Sequence, residues 1–134
     1  MYSILVAARN GEATLADVIE AGDVINHAIF MPNEINGGLG RLERAGFVTL
    51  SGGSIRPSQT AIDLYASARI GSKYAMDVMT HLGELMGPAW KPRADGSESD
   101  SPTEPFDANT IQSACAEYQE KFQERLARLR ERDP

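Results

Sequence analysis

Between residues 87 and 107 the chain reads GPAWKPRADGSESDSPTEPFD, with four prolines among Ser, Asp and Glu residues. Such a composition cannot bury enough apolar surface to offset its ordering entropy, and its prolines interrupt helix and strand alike. The stretch therefore divides the chain. The expected organisation is a domain over residues 1–70, an amphipathic helix over 71–87, a linker or long loop over 88–107 and a C-terminal amphipathic helix over 108–134. A length of 134 residues fits one compact domain with appendages.

Local signals ahead of that stretch predict short helices and one hairpin. Ile4, Leu5 and Ala8 predict an opening helix that stops before Asn10-Gly11. Thr14 with Asp17 three residues on has the form of a capping box, and Leu15, Val18 and Ile19 supply one apolar face behind it. Asp23 follows Gly22, so this second helix either runs through the glycine or restarts with Asp23 as its cap. Pro32 suits the first turn of a third helix, where Ile35, Leu39 and Leu42 form a buried stripe and Gly46 supplies a left-handed terminator.

Residues 47–50, 51–54 and 55–56 read as strand, Gly-rich turn and strand. After Pro57, Ser58 or Thr60 opens a helix carrying Ile62, Leu64, Tyr65 and Ile70. Within 71–87 the apolar stripe is Ala75, Val78, Met79, Leu82, Leu85 and Met86. The fold class is thus mainly α with a small β-hairpin.

The run Asn33-Glu34-Ile35-Asn36-Gly37-Gly38-Leu39-Gly40-Arg41-Leu42-Glu43-Arg44-Ala45-Gly46-Phe47-Val48 resembles the recognition helix and first wing strand of the MarR/PadR-like winged helix-turn-helix superfamily. Arg41-Leu42 and Gly46-Phe47-Val48 carry the likeness, and residues 55–61 stand where the second wing strand and next helix begin. The resemblance spans about residues 1–70. It implies a winged helix-turn-helix core plus two C-terminal helices, and a small DNA-binding transcriptional regulator with the third helix (about 32–45) in the major groove and the hairpin 47–56 as wing. Fold alone does not fix function, and the alternative is a winged-helix protein-interaction module that does not bind DNA.

With Ile35, Leu39 and Leu42 turned inward, Asn33, Asn36, Arg41 and Arg44 are expected to face out, joined by Arg56 of the wing. Asparagine pairs with adenine edges and arginine with guanine or phosphate, so these five are the candidate DNA contacts. Charge argues the other way. Residues 1–70 hold five Arg and seven acids, and the whole chain carries −6; with so few cations, phosphate contacts are few and salt-sensitive. The bland reading of these arginines is ordinary solvated surface. Gly37, Gly38 and Gly40 each cost about 1 kcal/mol against Ala inside a helix, which close packing or a close-approaching partner has to offset.

The C-terminal stripe Ile111, Cys115, Tyr118, Phe122, Leu126 and Leu129 advances at 3.6 residues per turn, not the 3.5 of a long coiled coil. This helix is expected to lie on a globular surface. Because the resembling proteins dimerise through helices outside the winged core, the six residues are the candidate homodimer interface; the alternative is an intramolecular cap. Glu117 to Lys121 and Glu124 to Arg128 are favourable i, i+4 pairs on the other side.

Other chemistry is sparsely provided. One cysteine, Cys115, precludes an internal disulfide and a Cys-based zinc site, and fits a reducing, cytoplasmic setting. Asp23, Asn26 and His27 share a helical face, but two ligands do not make a metal site, and a helix cap beside a surface histidine accounts for them. No nucleophile with its base, P-loop or dinucleotide fingerprint is present. Neither catalysis, metal nor cofactor is expected, and no apolar run approaches the roughly 18 residues of a membrane span.

Overall fold

A computed structural model describes residues 1–26, 31–88 and 105–132. His27, and with it most of the proposed Asp23/Asn26/His27 face, lies outside the described residues, as does most of the 88–107 linker. The elements are α1 (Tyr2–Ala7), β1 (Ala13–Thr14), α2 (Leu15–Asn26), α3 (Pro32–Arg44), β2 (Val48–Ser51), β3 (Ser54–Pro57), α4 (Gln59–Arg69), α5 (Ala75–Met86) and α6 (Ala108–Arg132). Among the described residues no helix is long and apolar enough to cross a membrane.

Most helix boundaries follow from side chains that satisfy otherwise unpaired backbone groups. Thr14 and Asp17 form the expected reciprocal box: the Thr14 N–H donates to Asp17 Oδ2 at 2.9 Å, and the Asp17 N–H to Thr14 Oγ1 at 3.2 Å. Behind this cap α2 runs unbroken through Gly22, so Asp23 lies inside the helix and caps nothing. Ser58 caps α4 through the Ala61 N–H, and Asp107 caps α6 through the Thr110 N–H at 2.7 Å. At the end of α3 the Gly46 and Phe47 N–H groups reach back to Glu43 O and Leu42 O, with Gly46 at φ +77°, the left-handed closure that only glycine adopts without strain.

The hairpin turns on two residues, Gly52 and Gly53, both at positive φ, which matches the twist of the flanking strands. The sheet has one strand more than the expected hairpin. β1 pairs antiparallel with β3, Ala13 opposite Ile55 and Thr14 opposite Ser54, giving the order β1-β3-β2. A two-residue strand carries no readable alternation, so only tertiary pairing defines it.

A single buried cluster runs from Ile4 on α1 through Ile19, Ile35, Leu39 and Ile55 to Val78, Leu82, Ile111 and Tyr118. Ile19, Ile55 and Ile111 are its largest fully buried side chains, each stabilising the fold by about 1.5–3 kcal/mol relative to exposure. The C-terminal helices therefore complete this core: α5 packs on α4, and α6 on α2 and α3. The α4 stripe differs from expectation. Ala61 and Ala68 are its buried residues and Leu64 and Tyr65 pack partly buried against the core, whereas Ile62 is exposed and Ile70, beyond the end of α4, is exposed too.

Candidate nucleic-acid interface

α3 begins at Pro32, with the Met31 N–H donating to the Glu34 carboxylate at 2.8 Å. All three internal glycines remain helical. Ile35, Leu39 and Leu42 are buried as the spacing requires, and a second buried flank is made by Asn36 and Gly40. The remaining arc carries Asn33, Gly37, Arg41 and Arg44, spaced i, i+4, i+8 and i+11 and so nearly in line along the helix. Asn33 and Arg44 are exposed, and Arg41 is half-buried. A Cβ on Gly37 would lie 3.3 Å from Arg41 Nη1, so the glycine gives the guanidinium room to fold back along the helix. Gly38 has no neighbour within 4 Å of such a Cβ, so close packing does not account for it.

Asn36 departs from expectation. It is buried, its Nδ2 donates to Phe106 O at 2.7 Å, and its Oδ1 accepts from the Phe106 N–H at 3.2 Å. Both ends of the amide are thereby occupied by the chain itself, and Asn36 is removed from the outward-facing set. The reason is geometric: the flank of α3 that bears it is covered by the segment leading into α6.

Arg56 is exposed, yet it is not alone. Its Nη2 lies 2.9 Å from Glu12 Oε2, and the Ser54 hydroxyl donates to the same oxygen at 2.9 Å. These hydrogen bonds, the Arg56 contact foremost, hold the Glu12 carboxyl below the usual range. β1 brings Glu12 into place by pairing with β3, which is why the linear sequence did not reveal the contact. Thr49 and Arg56 are cross-strand partners and both point to solvent.

The six candidate interface residues on α6 separate into two groups. Ile111 and Tyr118 are buried in the chain's own core, and Cys115 packs partly buried against it. These three are corrected from an intermolecular to an intramolecular role, because α2 occupies the face they present. The Tyr118 hydroxyl donates to the Asp23 carboxylate on α2, and that bond with burial pushes the phenol up to about 12. Farther along, Arg125 pairs with Glu20 at 2.6 Å. Phe122 and Leu129 are 40% and 56% exposed with Leu126 half-buried between them, which leaves an apolar stripe on the outer half of α6. Lys121–Glu117 and Arg128–Glu124 form the expected helical pairs at 2.7 and 3.9 Å.

Among the described residues no group of three or more His, Cys, Asp and Glu side chains is placed to hold a metal ion. Comparison of the chain with protein-family models, curated proteins and solved structures found no match.

Proposed function

We propose that the chain is a small DNA-binding regulator of the winged-helix type, with α3 entering the major groove and β2–β3 serving as the wing. The observation that carries this reading is the α3 stripe of Asn33, Arg41 and Arg44, whose residue types suit base edges and phosphates. Of the two acids on α3, Glu34 has its carboxylate turned back onto the Met31 N–H, while Glu43 beside Arg44 stays exposed. The order α1, β1, α2, α3, β2, β3, with a two-residue glycine turn at the hairpin tip, supports the winged-helix assignment. A homodimer through Phe122, Leu126 and Leu129 would present two such helices to a palindromic site, and a cytoplasmic setting accompanies the reading.

A second reading, a winged-helix module that binds protein, is favoured by the pairing of Arg56 with Glu12 and by the net charge of −6. Fluorescence anisotropy with a pool of genomic DNA fragments across a salt series separates the two. DNA binding predicts saturable association whose logarithm falls with log salt at about −0.9 per phosphate contacted. It also predicts loss of that association in a folded Arg41→Ala, Arg44→Ala, Arg56→Ala triple variant. A folded wild type with no association at low salt overturns the DNA reading in favour of the protein-binding one.

A further inference from the structure

α1 presents two different faces. Met1, Ser3 and Ile4 border α3, whereas Tyr2, Leu5 and the nearby Arg9 line a separate, open cavity of about 560 Å³ bounded by the end of α4 and the start of α5, with Arg9, Arg69, Lys73 and Tyr74 exposed on its rim. That volume lies in the range of roughly 300–1,000 Å³ usual for small-molecule sites. Leu5 and Val78 are buried at its floor, and Tyr2 and Tyr65 form a wall with ring centroids 5.9 Å apart.

The charge of this cavity opposes that of the chain. Arg9, Arg69 and Lys73 line it, and none of its described lining residues is acidic, in a chain with net charge −6. Among the described residues no carboxylate forms an ion pair with any of the three. The Arg69 guanidinium stands 5.7 Å from the Tyr65 ring centroid. Burial, with the neighbouring Tyr65, holds the Tyr2 phenol above its ordinary value despite the opposing pull of Arg69 and Arg9.

The loop that completes the cavity is fixed by its own bonds. Gly71 takes φ +75°, the Ser72 hydroxyl donates to Ala68 O at 2.8 Å, and the Ser72 N–H donates to Arg69 O at 3.2 Å. Lys73 and Tyr74 are thereby set at the mouth, directly before α5. That twelve-residue helix starts without a side-chain cap, so its first N–H groups add partial positive charge at the edge of the cavity, offset in part by the Asp77 carboxylate in the same turn. The three side-chain cations match a dianion better than a single carboxylate, and exposed Tyr74 supplies a flat face for a ring.

We propose that the cavity between α1, α4 and α5 binds a nucleoside monophosphate, its phosphate among Arg9, Arg69, Lys73 and the start of α5 and its base against Tyr74. The assignment does not rest on the DNA reading, since it uses a different face of α1 and none of the α3 residues.

Isothermal titration calorimetry of the full chain tests it, using the four common ribonucleoside 5′-monophosphates, the matching nucleosides and inorganic phosphate as probes. Expected is one-to-one binding of at least one monophosphate, with its nucleoside and phosphate each more than about tenfold weaker. Arg9→Gln and Lys73→Gln, both at exposed positions, should each weaken the monophosphate roughly tenfold, the loss of one charge-assisted hydrogen bond. Tyr74→Ala should weaken the monophosphate but not inorganic phosphate. Circular dichroism melts establish that each variant folds. The proposal is overturned if no monophosphate binds the folded chain, if the charge variants leave binding unchanged, or if inorganic phosphate binds as tightly as the nucleotide. It is equally overturned if those variants weaken only DNA.

Discussion

Asn36 on α3 and Phe106 ahead of α6 are joined by a reciprocal pair of hydrogen bonds, amide nitrogen to carbonyl and backbone N–H to amide oxygen, across seventy residues of sequence. The pair ties the flank of the proposed recognition helix to the segment that starts the last helix. An asparagine that looked like a base reader is thus a fastener within the chain.

Replacing Asn36 by Ala should strand the buried Phe106 N–H and carbonyl, each unpaired group costing about 1–3 kcal/mol. Asn36→Asp should cost more at neutral pH, because a carboxylate oxygen would then face the Phe106 carbonyl. Urea unfolding measures both. DNA binding by the folded fraction should be unchanged, the outcome that distinguishes a fastener from a reader.

Gly38→Ala should stabilise the chain. The position is helical and open, with nothing within 4 Å of the added Cβ, so removing the glycine penalty should add up to about 1 kcal/mol, or a rise in Tm of about 3–5 °C. Gly37→Ala should gain less and displace Arg41, whose Nη1 lies 3.3 Å from the new Cβ. If α3 binds DNA, Gly37→Ala should weaken that binding and Gly38→Ala should not. Thermal melts and anisotropy read the two effects separately.

Tyr118 should give the fold an alkaline limit. Its hydrogen bond to Asp23, with burial, pushes the folded-state phenol up to about 12 from an unfolded value near 10. The folded state thus favours the protonated phenol. That contribution is complete below pH 10 and is lost as pH rises from 10 to 12. Ultraviolet titration should show one tyrosine ionising near the upper value, absent from Tyr118→Phe, and stability of that variant should depend less on pH in this window.

The two halves of α6 should respond differently to substitution. Ile111→Ala removes a fully buried side chain and should cost about 2–5 kcal/mol without altering oligomeric state. Phe122→Glu with Leu129→Glu should leave stability nearly unchanged and convert a homodimer to a monomer. Size-exclusion chromatography with light scattering decides. A wild-type chain that is already monomeric at high concentration removes the dimer from the proposed function.

Glu12→Gln should release Arg56 by removing the charge that now pairs with it at 2.9 Å. If the hairpin acts as a wing, DNA affinity should rise at low salt and the salt slope should steepen by about one phosphate contact. An unchanged slope would take Arg56 out of the interface.

Much of the local architecture was legible in the sequence, because it is written in contacts between near neighbours. The Thr14/Asp17 box, Pro32 at the start of α3, Gly46 at its end and the Gly52-Gly53 turn all act within three to five residues. The stripe spacing of α6 likewise identified a helix that lies on a globular surface. What covers each stripe was not legible. Ile111 and Tyr118 have the same spacing whether they meet α2 or a second chain, and Asn36 has the same place on the α3 wheel whether it meets DNA or Phe106.

The sequence alone therefore marked most helix starts and stops, though not that α2 runs through Gly22, since capping and turn conformation depend on residue type and short spacing. The tertiary structure decided the β1–β3 pairing, the Glu12–Arg56 contact, the burial of Asn36 and the gathering of Arg9, Arg69 and Lys73 around one cavity. Those residues are separated by tens of positions along the chain. Only the closure of a shared core brings them together, and no local periodicity encodes which distant segment arrives.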